Sequence, residues 1–121
     1  MRAEIRKFIA ASEIETAEHC FITEVANSST DENFSVARAR VEPGVTTAWH
    51  KLRGVSERYL IVSGQGLAEI GELEATAVAT GDVICIPPDT PQRITNTGKD
   101  DLTFFAVCSP RFTPDCYINL E

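Results

Sequence analysis

Residues 44–64 read GVTTAWHKLRGVSERYLIVSG, and the reading of this stretch decides the fold. Two β-rich runs, Val45 to Leu52 and Arg58 to Val62, are separated by the turn signal Arg53-Gly54. The stretch is bounded by Pro43-Gly44 on one side and Gly64-Gln65-Gly66 on the other, both turn-forming. Side chains alternate across a strand, so His50 and Leu52 share one face of the first run. By the same parity Glu57, Tyr59 and Ile61 share a face of the second.

The pattern continues on both sides. Downstream, Leu67 to Ile70, Ala75 to Ala79, Val83 to Ile86, Gln92 to Thr95 and Leu102 to Val107 are further β-rich runs. They are punctuated by Gly71-Glu72, Gly81-Asp82, Pro87-Pro88-Asp89 and Asn96-Thr97-Gly98. Upstream, Phe21, Thr23 and Val25 alternate through a run of strand character. Ser35, Ala37, Ala39 and Val41 suggest a small-residue inner face, with Arg38 and Arg40 outside. Ser12 and Glu15 have capping-box spacing, which supports a single helical turn near the start. Many short strands without a long helical period predict an all-β sandwich or barrel, with no helix beyond about three turns.

Composition narrows the function classes. The 121 residues suffice for one core, and the formal net charge of -7 lacks the basic footprint that phosphate contacts require. Nucleic acid and anionic membrane surfaces are therefore not expected as partners. No apolar run reaches the length of a membrane span or of a signal-peptide core, and a cytoplasmic location is expected. The four cysteines, Cys20, Cys85, Cys108 and Cys116, are scattered and contain no two-residue spacing of the zinc-ribbon or redox type. Free thiols are expected, with Cys85 and Cys108 on strands, buried and inert.

Two segments resemble the paired signatures of the cupin superfamily. Gly44, His50, Glu57 and Gly64 fit the first pattern, and Gly81, Pro87 and Asn96 fit the second, in order and at a short separation. The resemblance covers roughly residues 33–110. The run from Glu57 to Val62 and the segment Cys108-Ser-Pro-Arg-Phe112 are similar to small stand-alone bacterial cupins. It implies a double-stranded β-helix (jelly-roll) barrel over residues 1–121. The barrel core spans about 19–110 and a tail covers 111–121; residues 1–18 have too little periodicity to pack alone, so this N-terminal segment is expected to lie across its own barrel or a partner's. The resemblance also implies a homodimer. Two positions depart from the cupin pattern: Leu52 and Gln92 stand where imidazoles are usual. Asp89 replaces a glycine, a milder change because Asp tolerates left-handed backbone.

The resemblance turns the His50 and Glu57 faces inward. A carboxylate inside a barrel is costly unless paired or ligated, so Glu57 requires a partner. Three readings stay open. A divalent metal (Fe, Mn, Zn or Ni) is held by His50, Glu57 and Gln92, with water or substrate completing its shell. Alternatively, without metal, His50 and Glu57 form an acid–base pair with Tyr59 as a second proton donor, as in metal-free sugar-nucleotide epimerases of the superfamily. In the third, these polar groups satisfy one another in a barrel that binds a ligand without chemistry, or binds nothing. The ligand expected is a small polar organic molecule, with no organic cofactor. An enzyme of this kind would be a dioxygenase, isomerase or lyase. His19 is read as a surface imidazole, and Arg58 and Arg93 either as solvated strand faces or as groups that meet an anionic substrate at the pocket mouth.

Overall fold

Alternation in residues 56–63 is carried into the structure, a computed structural model that describes residues 1–121. On strand β5 (Ser56–Ser63) Glu57, Tyr59 and Ile61 are buried, while Arg58, Leu60 and Val62 face out. Ten other strands complete the fold: β1 (Ile14–Glu15), β2 (Phe21–Ala26), β3 (Ser35–Val41), β4 (His50–Leu52), β6 (Gln65–Ile70), β7 (Thr76–Ala79), β8 (Val83–Ile86), β9 (Gln92–Asn96), β10 (Leu102–Ser109) and β11 (Tyr117–Asn119). One sheet has the order β1-β2-β3-β10-β5-β8 and the other β11-β4-β9-β6-β7. Every paired neighbour is antiparallel. Helix is confined to two short 3-10 turns, Ala10–Ser12 and Pro114–Cys116. The first ends at Ser12 rather than starting there, and Ser12 Oγ donates back to the Ile9 carbonyl.

The glycines of the quoted stretch bend the chain in the left-handed region. Gly64 has φ +94°, and a Cβ there would stand 2.7 Å from the Asp101 carbonyl oxygen, so no other residue fits without moving the β10 approach. Asp89 adopts φ 63°, the left-handed turn expected of it, and its Oδ1 accepts from the Gly54 N–H. Asn96 is buried and knits three segments: its amide donates to the Val41 and Asp100 carbonyls, both at 2.8 Å, and accepts from Gly98 N–H.

The main core is a cluster that includes Val41, Ile61, Ile86, Ile94, Leu102 and Phe104. Each large aliphatic buried there contributes about 1.5–3 kcal/mol. A second cluster of Leu52, Val55, Cys108 and Cys116 closes the end nearest the C-terminal tail.

Four details differ from the sequence reading. The run Val45 to Leu52 forms a regular strand only at His50–Leu52, with an isolated bridge between Thr46 and Thr95. Residues 117–119 form β11 and pair with β4, so the tail is part of a sheet. In β2 both faces are covered: Ile22 and Glu24 line the cavity, Thr23 is buried on the other face and Phe21 lies under the Arg40 guanidinium, and a register shift follows Glu24. Cys85 is exposed, because β8 turns Ile84 and Ile86 inward. The N-terminal segment lies against its own barrel, where Arg38 stacks 4.7 Å over the Phe8 ring and β1 adds to β2.

Candidate functional site

His50 opens β4 and stands directly opposite Gln92 of β9. Its Nδ1 lies 2.7 Å from the Ala48 carbonyl. A carbonyl can only accept, so Nδ1 carries the proton and Nε2 is the nitrogen offered to the barrel interior. Nε2 is 3.6 Å from Glu18 Oε2. Tyr117, delivered by the β11–β4 pairing, stacks on the imidazole with centroids 4.9 Å apart and an angle of 20°.

Glu18 comes from the turn between β1 and β2. The turn is pinned by Ala48 N–H donating to the Glu18 carbonyl at 3.0 Å and by His19 at φ 69°. Its side chain is half-buried, and burial raises its carboxyl pKa while His50 pulls the other way.

Glu57 lies on the facing sheet and is buried, 7% exposed. Its Oε2 accepts from Cys108 Sγ at 3.5 Å, and its Oε1 is buried with no hydrogen-bond partner. Burial raises the Glu57 pKa to about 7, ahead of the lowering by Cys108 and Gln92, and the Glu18 charge raises it further. Tyr59, two residues along β5, donates to Gln92 Oε1 at 2.6 Å and packs on Phe104 at 4.3 Å. Burial first, then the nearby acidic groups, push its hydroxyl well above the usual range. Burial likewise raises the Cys108 thiol, and holds Cys20 at about 11.

These groups line one cavity of about 490 Å³, between the sheets and open at one end. Glu18, His50, Glu57, Tyr59, Cys108 and Tyr117 are among its ionisable lining groups, and Leu52 stands on the same wall as His50. The expected catalytic residues His50, Glu57 and Tyr59 therefore meet. Glu18 and Tyr117 lie outside the cupin motifs; the neighbouring β-favouring residues Tyr117 and Ile118 are the only local signal for β11.

The expected metal set fares differently. Gln92 is absent from the cavity wall, and the amide oxygen that would have served as ligand accepts the Tyr59 hydroxyl. No three His, Cys, Asp or Glu side chains are grouped so as to hold an ion. Within the expected set, one imidazole, one carboxylate, an amide oxygen already bonded to Tyr59 and an apolar Leu52 do not fit the shell that Fe, Mn, Zn or Ni takes. Of the remaining residues singled out in sequence, His19 and Arg58 are exposed. Arg93 faces outward, paired with Glu69 at 2.7 Å and stacked over Trp49.

Two antiparallel sheets around a ligand-sized cavity with inward acid–base groups define a double-stranded β-helix barrel. Residues 37–108 match the cupin domain family, and the chain belongs to it. An uncharacterized protein of Methanocaldococcus jannaschii is 37% identical over 79 residues, 65% of this chain. That match spans 62% of the archaeal protein's length. Among solved structures, the nucleoside dehydratase Pac13 of Streptomyces superposes with a TM-score of 0.77 at 22% identity, over 95% of this chain and 90% of that one. A conserved Klebsiella pneumoniae protein with a double-stranded β-helix domain gives 0.78 at 18% identity, over 98% and 99%. These two likenesses are of fold. No helix is long and apolar enough to cross a membrane.

Proposed function

We propose that this cupin binds a small polar organic molecule in the barrel and moves a proton on it, with His50 as the base. The observation that carries this reading is the His50 environment: Nδ1 held by Ala48, Nε2 directed at the cavity beside the Glu18 carboxylate. A neutral imidazole so fixed accepts a proton at Nε2, and Glu18 stabilises the imidazolium that results. Glu57 is poised to return a proton, because a carboxyl with a pKa of about 7 is half protonated near neutrality. Proton removal from carbon, followed by reprotonation or loss of a hydroxyl group as water, gives isomerisation or dehydration. The superposition on a nucleoside dehydratase supports elimination chemistry as one such outcome.

The test is proton NMR in D2O with a panel of aldoses, nucleosides including uridine, and amino alcohols. Wild-type protein is expected to exchange a carbon-bound hydrogen, or release water, from at least one compound. Binding without exchange across the panel would leave a non-catalytic ligand-binding module. A homodimer also belongs to this proposal, supported by the exposed Leu60, Val62 and Val83 on the outer face of β5 and β8. Light scattering that returns one chain's mass at micromolar concentration would remove it.

A further inference from the structure

We propose that the cavity takes a ring-bearing alcohol, its apolar ring seated over Ala37 and Ala106 and its hydroxyl donating to His50 Nε2. This substrate class rests on the function proposed above, in which the same cavity takes a small polar organic molecule.

The floor of the cavity follows from strand register. Across the inner face of the six-stranded sheet, Glu24, Ala37, Ala106 and Tyr59 form one row over β2, β3, β10 and β5. The row on one side carries Ile22 and Phe104, and the row on the other Cys108 and Glu57. Two alanines on the two central strands thus leave a recess among larger neighbours, and both keep accessible surface where they line the cavity. Strands stand about 5 Å apart and rise about 3.4 Å per residue, so the recess measures about 10 by 7 Å, the footprint of a six-membered ring rather than of an extended chain. A ring seated there covers the alanine methyls and meets Phe104 and Tyr59, which also line the cavity.

Two alanines alone hold nothing; His50 supplies the observation that points to a ligand. It is 4% exposed and lines the same cavity from the facing sheet. Nδ1 is bonded to Ala48, whereas Nε2 has no hydrogen bond: Glu18 Oε2, at 3.6 Å, is beyond reach and is itself an acceptor. Nor is Nε2 sealed off; the buried side-chain atoms closed in without a partner are Thr23 Oγ1 and Glu57 Oε1. An unpartnered acceptor that opens into the cavity calls for a donor from the ligand. A hydroxyl brings one without carrying a charge into an apolar recess. Tyr117, stacked on the imidazole, fixes the ring plane and with it the direction of that bond.

The experiment uses benzyl alcohol, benzyl methyl ether, which lacks the donor, and ethanol, which lacks the ring, on the full chain. Dissociation constants come from chemical-shift titration, and heat unfolding checks that each variant is folded. Benzyl alcohol is expected to bind about tenfold tighter than either of the others. Ala106→Leu fills the recess and should weaken benzyl alcohol about tenfold, and Ala37→Leu should do the same, which keeps the test open if the first variant does not fold. Val107→Leu, on the outer face of the same strand, should leave binding unchanged. His50→Leu should remove the preference for alcohol over ether. Equal binding of alcohol and ether by the wild type would overturn the bond to His50. Wild-type affinity in the folded leucine variants at Ala37 and Ala106 would overturn the seat of the ring. No binding of benzyl alcohol in the millimolar range would overturn the substrate class as a whole. All of these are binding results, so proton exchange in D2O on another compound would sustain the function proposed above after the ring-bearing alcohol had failed.

Discussion

The Tyr59 hydroxyl donates to the Gln92 amide oxygen over 2.6 Å, and this bond ties β5 of one sheet to β9 of the other behind the cavity wall. It makes the Gln92 amide oxygen a support for Tyr59. Both partners are buried, at 6% and 1% exposure, so neither can turn to water when the other is removed.

Tyr59→Phe therefore leaves a buried amide oxygen unpaired. A loss of about 1–3 kcal/mol is expected, measured by urea denaturation. A double-mutant cycle with Gln92→Leu should show positive coupling between the two residues. Additive effects would mean that the bond does not form in solution.

Stability should fall as pH rises through the Glu57 titration. Burial raises this carboxyl from 4.5 to about 7 in the folded chain. The folded protein thus keeps a proton that the unfolded chain releases. The contribution is fully present below about pH 4.5 and is lost as pH rises through 7, amounting to about 3 kcal/mol. Glu18, also raised by burial, acts in the same direction. Denaturation of wild type and Glu57→Gln at pH 5 and pH 8 checks this: the variant should lose most of the difference between the two. An unchanged difference would place Glu57 in solvent.

Much of this arrangement was legible in the chain. Strand parity placed His50 with Leu52, and Glu57 with Tyr59 and Ile61, because β4 and β5 are regular over those residues. Motif spacing located Gly44, Gly64 and Gly81, all with positive φ. Glu18 was not legible, since a turn residue has no periodicity and reaches His50 only through the long-range bond to Ala48. Parity gave no single inner face for β2, since Ile22 lines the cavity while Thr23 on the other face is buried. Gln92 held its place beside His50, but its orientation depends on the tyrosine across the barrel, which spacing does not encode.

A metal centre should be installable. His50 and Gln92 are register partners, and Leu52 lines the cavity beside His50. Leu52→His with Gln92→His adds two imidazoles to the pair already present, and affinity for Ni²⁺ or Zn²⁺ should rise substantially over wild type. Isothermal titration measures the gain, which should disappear when His50→Ala is added. A folded double mutant without any gain would show that these positions do not converge.

His50→Gln should reduce any reaction found by deuterium exchange by about 10²–10⁴-fold while leaving ligand binding within a few-fold, because the amide fills the space without the base. Equal loss of binding and rate would make His50 a ligand contact rather than the proton acceptor.

In the reaction proposed for this barrel the proton is moved by the chain's own side chains. The most direct measurement compares the rate of that reaction in protein stripped with a strong chelator against the same protein resupplied with Fe²⁺, Mn²⁺, Zn²⁺ or Ni²⁺. Equal rates are expected in the stripped and resupplied protein, both lowered about 10²–10⁴-fold by His50→Gln. Loss of activity on stripping, with recovery on adding one of these ions, would contradict that expectation.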